Sequence, residues 1–398
     1  MLQYFHKLSP GAKKSVFFLI CLLLLATGIL WIINTGVTIW GKGRDRILIN
    51  KNYGRHSNPN FHVEFGPIPT TYYNENCKKQ MPLTLSDYYI ASAYRPFLPG
   101  GVTHDVCSYD AVQLVLEKGA RILWIDVWSS NSRNFYDNQA YPIVRAETLM
   151  KKYGTALDFG KVCEIIKKHA WSGTNYPLIL YFDIHETAKQ NRFVLQKMAK
   201  ILYKNFANRM VNKKYGFARN NIAEIPMKEL MGKVLFVTGK YPLEGNLNEF
   251  INGVIGSKSQ NSGTLLVYDK AHLENGGVLS KEANTTDVVN YNKTHLGIVK
   301  PYNKYALGNI VQPGSDLIQI PFKDPFKFGY SSVLLNYQGD GTIRDEYIKT
   351  FKKAAFVLKP DNLRFIPKCQ PKKMVQNSLA SYSPRMVDFK DGFFKHTY

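Results

Sequence analysis

Gly119-Ala-Arg-Ile-Leu-Trp-Ile-Asp-Val-Trp128 and Asn175-Tyr-Pro-Leu-Ile-Leu-Tyr-Phe-Asp-Ile-His185 are short, mostly apolar runs, each with one aspartate near its C-terminal end, Asp126 and Asp183. Runs of this length without polar alternation read as strands buried on both faces. Val234-Leu-Phe-Val237 and Leu265-Leu-Val-Tyr268 read the same way. Helical patterns separate them: Ser108 to Lys118 before the first, Phe159 to His169 before the second, and Phe193 to Ala207 after it. Strand and helix alternating over about 280 residues predict a parallel α/β fold, and a (β/α)8 TIM-type barrel fits that alternation. Active sites of such barrels lie at the C-terminal ends of the strands, where Asp126 and Asp183 fall.

Taken with Leu83-Thr-Leu-Ser-Asp-Tyr-Tyr-Ile-Ala-Ser-Ala-Tyr-Arg-Pro-Phe-Leu98, these runs resemble, in order and spacing, the X box of eukaryotic phosphoinositide-specific phospholipase C. In that alignment Tyr94 and Arg95 stand where the family has a catalytic His and a calcium-binding Asn. Arg121, Asp126 and Trp128 match the second segment, with Trp124 in place of a Glu. In the third, Asp183 stands for a metal-binding Glu and His185 matches. Tyr141-Pro-Ile-Val-Arg-Ala-Glu-Thr-Leu149 resembles the segment bearing the second catalytic His, whose place is taken by Ala146. The likeness continues into the Y box at Glu229–Phe236, Val289–Leu296 with Lys300-Pro301, Ser331–Gln338 and Ala355–Leu363.

The resemblance implies a fold of phospholipase C type and a chemistry largely lost. Cleaving a phosphodiester by attack of the inositol 2-hydroxyl needs a base, an acid and positive charge on the phosphate oxygens. The family supplies these with two His and a calcium held by Asn, Glu, Asp and Glu. Here Tyr94 and Ala146 replace the histidines, and alanine transfers no proton. Asp126 and Asp183 remain as weak metal candidates, so the expectation is no cofactor, or Ca2+ if the metal site survives. Arg95 is expected to occupy the vacated metal position and pair with Asp126 and Asp183. Barrel-mouth structure, with the aspartates solvated or paired to Arg121 or Arg95, is the competing reading. His104 in Thr103-His-Asp105 and His185 are possible rescue residues, His185 otherwise being a packed or capping residue. Trp124 is expected to fill the vacated site as a core residue. Arg95, Lys240, Ser280 and Lys300 are the candidate substrate contacts, while Val237 and Ile298 depart from the pattern.

Ser15 to Ile33 is apolar almost throughout and, at about 19 residues, long enough to cross a bilayer core of roughly 30 Å. Residues 15–38 are read as one uncleaved transmembrane helix after a short flank at 1–14. A linker and cover follow at 39–80, an X-box-like half barrel at 81–204, a basic connection at 205–228, a Y-box-like half at 229–366, and a tail at 367–398. Lys7, Lys13 and Lys14 precede the span, and Lys42, Arg44, Arg46, Lys51 and Arg55 follow it, a narrow bias toward a cytosolic barrel. The net charge of +22 suits anionic lipid headgroups, phosphoinositide among them; no nucleic-acid motif is present. Cys21, Cys77, Cys107, Cys163 and Cys369 show no spacing that specifies a zinc site or a disulfide framework. A membrane-anchored, catalytically impaired phospholipase C-like protein that binds phosphoinositide or a partner is the favoured expectation. An active divergent phosphodiesterase and a structural membrane protein using the barrel surface are the alternatives.

Overall fold

The computed structural model describes residues 10–52, 63–100, 106–131, 137–146, 155–212, 215, 221–238, 246–254, 265–268, 300–301, 303–305, 307–311, 321–339, 341–369, 386–388 and 395–397. His104, Lys240, Ser280, Ile298 and Val289–Leu296 lie outside them.

The first helix, α1, spans Pro10–Asn52. Its stretch Pro10–Ile29 is long and apolar enough to cross a membrane by length and composition. Phe17, Phe18, Leu22, Leu23, Leu24, Leu25 and Ile29 stand exposed on it as an apolar surface. The helix runs on through residues 39–52, where the sequence reading begins a linker. Lys42–Asn52 has no proline and is rich in Arg, Lys, Ile and Leu, so Gly41 and Gly43, at about 1 kcal/mol each, do not stop it.

The strands follow as β1 (Thr71–Asn74), β2 (Lys79–Pro82), β3 (Tyr88–Ile90), β4 (Ser92–Tyr94), β5 (Ile122–Ser129), β6 (Pro142–Val144), β7 (Leu157–Asp158), β8 (Leu178–Ile184), β9 (Val234–Thr238), β10 (Gly253–Val254), β11 (Leu265–Tyr268), β12 (Leu307–Val311), β13 (Ser332–Leu334), β14 (Phe356–Leu358), β15 (Met386–Asp388) and β16 (Lys395–Thr397). Helices α2 (Tyr109–Glu117), α3 (Phe159–His169) and α4 (Arg192–Phe206) fall within a residue of the sequence expectation. Asp158 caps α3 by accepting from Lys161 N, and Lys167, Lys168 and His169 close its last turn against the helix dipole. Asn191 caps α4 by accepting from Phe193 N and Val194 N.

Parallel pairing runs β4-β5-β8-β9-β10, with β6 and β7 added antiparallel at the C-terminal end of β5. On the other side β11, β12 and β13 pair in parallel, and a parallel bridge from Ala93 to Leu335 joins this group to β4. Eight parallel strands therefore follow one another in chain order, as a (β/α)8 arrangement requires. Among the described residues no pairing joins β10 to β11, so the expected closed barrel is seen as an array open at that seam. β10 contributes only two paired residues, too few to carry a ladder onward.

The core lies on both faces of β5 and β8. Ile122, Leu123, Ile125, Val127, Leu178, Ile179, Leu180 and Phe182 are all buried, and Phe182 meets Phe159 of α3 and Phe236 of β9. The chain divides into two compact units, residues 1–72 with 82–365, and residues 73–81 with 366–398. The second unit holds two features that the sequence pattern does not specify. Cys77 and Cys369 form a disulfide with Cα atoms 5.4 Å apart, although they are 292 residues apart in sequence, a pairing the fold creates and local spacing could not announce. The tail holds the antiparallel pair β15-β16.

Candidate functional site

The site stands at the C-terminal ends of β4, β5 and β8. Pairing sets Tyr94 opposite Trp124, Trp124 opposite Tyr181, and Asp126 opposite Asp183. Because side chains two apart on a strand share a face, Trp124 and Tyr181 form an aromatic layer directly beneath the two aspartates. Ring centroids of Trp124 and Tyr181 are 3.8 Å apart, and those of Tyr94 and Trp124 are 5.6 Å apart. Trp124 is buried, as the sequence reading expects, and donates its indole N–H to Asp126 Oδ1 at 3.1 Å.

Arg95 completes the upper layer. Its Nε lies 2.7 Å from Asp126 Oδ2, with the Asp126 side chain fully buried and that of Arg95 11% exposed. Neither atom has an aligned hydrogen-bond partner, so the contact is an ion pair in close approach. The guanidinium also stands 4.9 Å from the centre of the Tyr94 ring. Burial works to lower the Arg95 pKa, but the charges of Asp126, Tyr94 and Asp183 outweigh it and hold the group above its ordinary value. Arg95 adopts φ of 47°, a left-handed conformation that costs a non-glycine residue about 1–3 kcal/mol and persists only where surroundings enforce it. The strand end turns sharply here and brings the side chain back over Asp126.

His185 reaches the same carboxylates, its Nε2 3.8 Å from Asp126 Oδ2 and 3.9 Å from Asp183 Oδ2. Its ring stacks on Trp128 at 3.7 Å and 13°, and its carbonyl accepts from Ala188 and Lys189 at the start of the Glu186–Lys189 helix. Ala146 is buried beyond β6 and presents only a methyl group. Arg121, a candidate partner for the aspartates, is elsewhere: it precedes β5, about 16 Å along the strand from Asp126 at 3.3 Å per residue. There it donates to the carbonyls of Ala120 and Leu116, sits against Phe65 and Tyr176, and is pushed down to about 10 by burial. Lys300 lies in a short helical turn.

Residues 81–240 match the family described as phosphatidylinositol-specific phospholipase C, X domain. Over this stretch the chain is a divergent relative of phospholipase C. It is 22% identical over 197 residues to phosphoinositide phospholipase C 7 of Arabidopsis thaliana, covering 50% of this chain and 31% of that protein. It is 29% identical over 124 residues to inactive phospholipase C-like protein 2 of Mus musculus, covering 31% of this chain and 10% of that protein. The crystal structure of L. pealei PLC21 superposes with a TM-score of 0.54 at 19% identity, over 71% of this chain and 38% of that one, and so shares its fold. The chain spans less than a third of the length of these curated relatives.

In this phospholipase C-like protein Asp126, Asp183 and His185 each offer one ligand atom, all within 4.8 Å of one another. Calcium takes about 6–8 oxygen ligands, and among the described residues these three side chains do not by themselves supply that set. One Asp126 oxygen accepts from Trp124, the other faces the Arg95 guanidinium, and the third donor is an imidazole nitrogen. Sequence reading missed Arg145, whose guanidinium lies 4.8 Å from the Trp128 ring while its carbonyl accepts from Trp128 Nε1. Its position one residue before Ala146 was the available signal.

Proposed function

We propose that this is a membrane-anchored phospholipase C-like protein whose barrel mouth binds an anionic headgroup, phosphoinositide by preference, without cleaving it. The observation that carries the reading is the Arg95–Asp126 ion pair in the layer where the family holds its metal. A fixed guanidinium keeps positive charge at the phosphate position and offers the planar fork that phosphate oxygens accept from. Proton transfer is what the mouth lacks. Tyr94 and Ala146 occupy the positions of the two family histidines, and the Tyr94 ring packs on Trp124. An inactive relative of the same family supports the possibility of such a loss. Anchoring rests on α1 and its exposed apolar stretch.

One observation favours a second reading. His185 stands within 4 Å of both aspartates, so a single histidine could serve as base in a slow, metal-independent phosphodiesterase. Full-length protein in detergent-mixed micelles of phosphatidylinositol and its phosphorylated forms separates the two. No inositol phosphate release, with retained micelle binding that weakens in Arg95→Ala, is the expected result. Turnover lost in His185→Ala would establish the enzyme instead.

A further inference from the structure

We infer that the folded part of this chain faces an oxidising compartment, with α1 entering the membrane from the reducing side. The inference rests on the anchor reading above for its account of the membrane, and on the disulfide alone for the compartment.

Cys77 and Cys369 come together at a built junction. β1 ends at Asn74, whose side chain accepts from Cys77 N at 3.1 Å and donates to the Pro367 carbonyl at 3.3 Å. Lys78 takes φ of 50° and turns the chain into β2. The hydrogen bonds that present Cys77 therefore also fix the segment leading to Cys369, and the Cα separation of 5.4 Å lies within the range a disulfide spans. Cys107 and Cys163 are buried free thiols and Cys21 is a free thiol on α1, so within the folded part the disulfide joins the pair the fold aligns.

Such bonds persist in secreted, lumenal and surface proteins and are kept reduced by thiol buffers in the cytosol. Among the described residues α1 holds one stretch apolar enough to span a bilayer, and it precedes both cysteines. No second such stretch occurs among the described residues, so Cys77, Cys369 and the mouth are taken to share one side of it. Flanking charge, three cationic residues before the span and five after, leans the other way. That margin is a statistical bias in insertion, whereas a closed disulfide reports the chemistry the finished fold lives in. A mouth on that side meets headgroups in the leaflet it faces or on an apposed membrane, and cannot reach the cytosolic leaflet of its own.

The test uses the full chain with a C-terminal epitope, expressed in a eukaryotic cell and recovered in sealed microsomes. Expected are protection of the epitope from added protease until detergent is present, and two additional thiols modified by a polyethylene-glycol maleimide only after reduction. Cys369→Ser should abolish that reduction-dependent modification and Cys107→Ser should leave it. Digestion of the epitope in sealed microsomes, or both thiols reactive without reductant, would overturn the inference. Carbonate extraction tells the two readings apart: a protected chain released by carbonate overturns the anchor while the compartment assignment stands.

Discussion

At the scale of single residues the mouth is held by one cation. Removing Arg95 leaves the Asp126 carboxylate buried without its partner, a change that costs about 3–5 kcal/mol in buried pairs. Relief of the left-handed backbone strain at the same residue returns about 1–3 kcal/mol when the replacement is glycine. Arg95→Ala should therefore lower Tm measurably and Arg95→Gly less so, read by thermal unfolding. If the two fall equally, the strain is not part of the site. Calcium gives a second measurement. Ligand binding raises Tm by mass action, so the wild-type chain should show no rise at sub-millimolar calcium, because Arg95 and Trp124 engage both oxygens of Asp126. A rise of several degrees, lost in Asp126→Asn, would show a working metal site. Lys359 supplies the pH dependence. It is fully buried, donates to the Gly329 carbonyl and Ser331 Oγ, and is pushed down to about 7 by burial from its ordinary value of 10.5. Between those values the unfolded chain holds a proton the folded chain has released, so stability rises with pH across that window and the gain is lost as pH falls toward 7. Burial pushes Tyr89 and Tyr176 up to about 12, so above pH 10 the unfolded chain releases their protons first and the trend reverses. Tm should climb from pH 7 to about 9.5 and then fall; Lys359→Met should flatten the climb, and an unchanged slope in that variant would remove Lys359 as its source.

At the scale of elements, the parts most legible in sequence were those whose pattern is local. β5 and β8 were visible because a strand buried on both faces is continuously apolar, and α3 because its apolar stripe begins after a capping aspartate and ends on Lys167, Lys168 and His169. The capping of α4 carries a prediction of its own. Asn191 is fully buried, accepts two helix N–H groups and donates through Nδ2 to the Asp137 carbonyl, so Asn191→Ala should cost about 1–2 kcal/mol in denaturant unfolding, and Asn191→Asp, which keeps the cap but loses the donor, should recover only part of it. What sequence pattern could not give is long-range. The antiparallel closure of β14 onto β3 joins residues far apart in the chain, and the Cys77–Cys369 bond does the same. The site divides along this line. Arg95, Asp126, Asp183 and Trp124 were identifiable by position in a motif, and Arg95 does meet Asp126. That His185 would lie flat on Trp128, and that Arg145 would stack on the same indole, depends on the pairing of β5 with β8 and with β6, which no local pattern encodes.

At the scale of the whole molecule, the net charge of +22 sits on a chain whose first helix offers a membrane span. The charge is not confined to the mouth. A cavity of about 520 Å³ at the N-terminal ends of β8 and β9, the end of the strands away from the site, is lined by Lys167, Lys204, Arg209 and Lys233. Each Lys or Arg close to an anionic membrane contributes about 1 kcal/mol, and the contribution fades beyond a Debye length of about 8 Å at physiological salt. Two modes of lipid attraction follow, and they differ in what they respond to. Diffuse attraction depends on lipid charge and salt, while capture at the mouth depends on Arg95 and on the headgroup. Full-length protein reconstituted in neutral vesicles should cluster a second population containing phosphatidylserine, and clustering followed by light scattering should fall steeply as salt rises. With phosphoinositide at matched surface charge, clustering should persist to higher salt, and Arg95→Ala should erase that excess while leaving the phosphatidylserine response unchanged. An equal loss for both lipids in Arg95→Ala would mean that the mouth adds nothing to the nonspecific field.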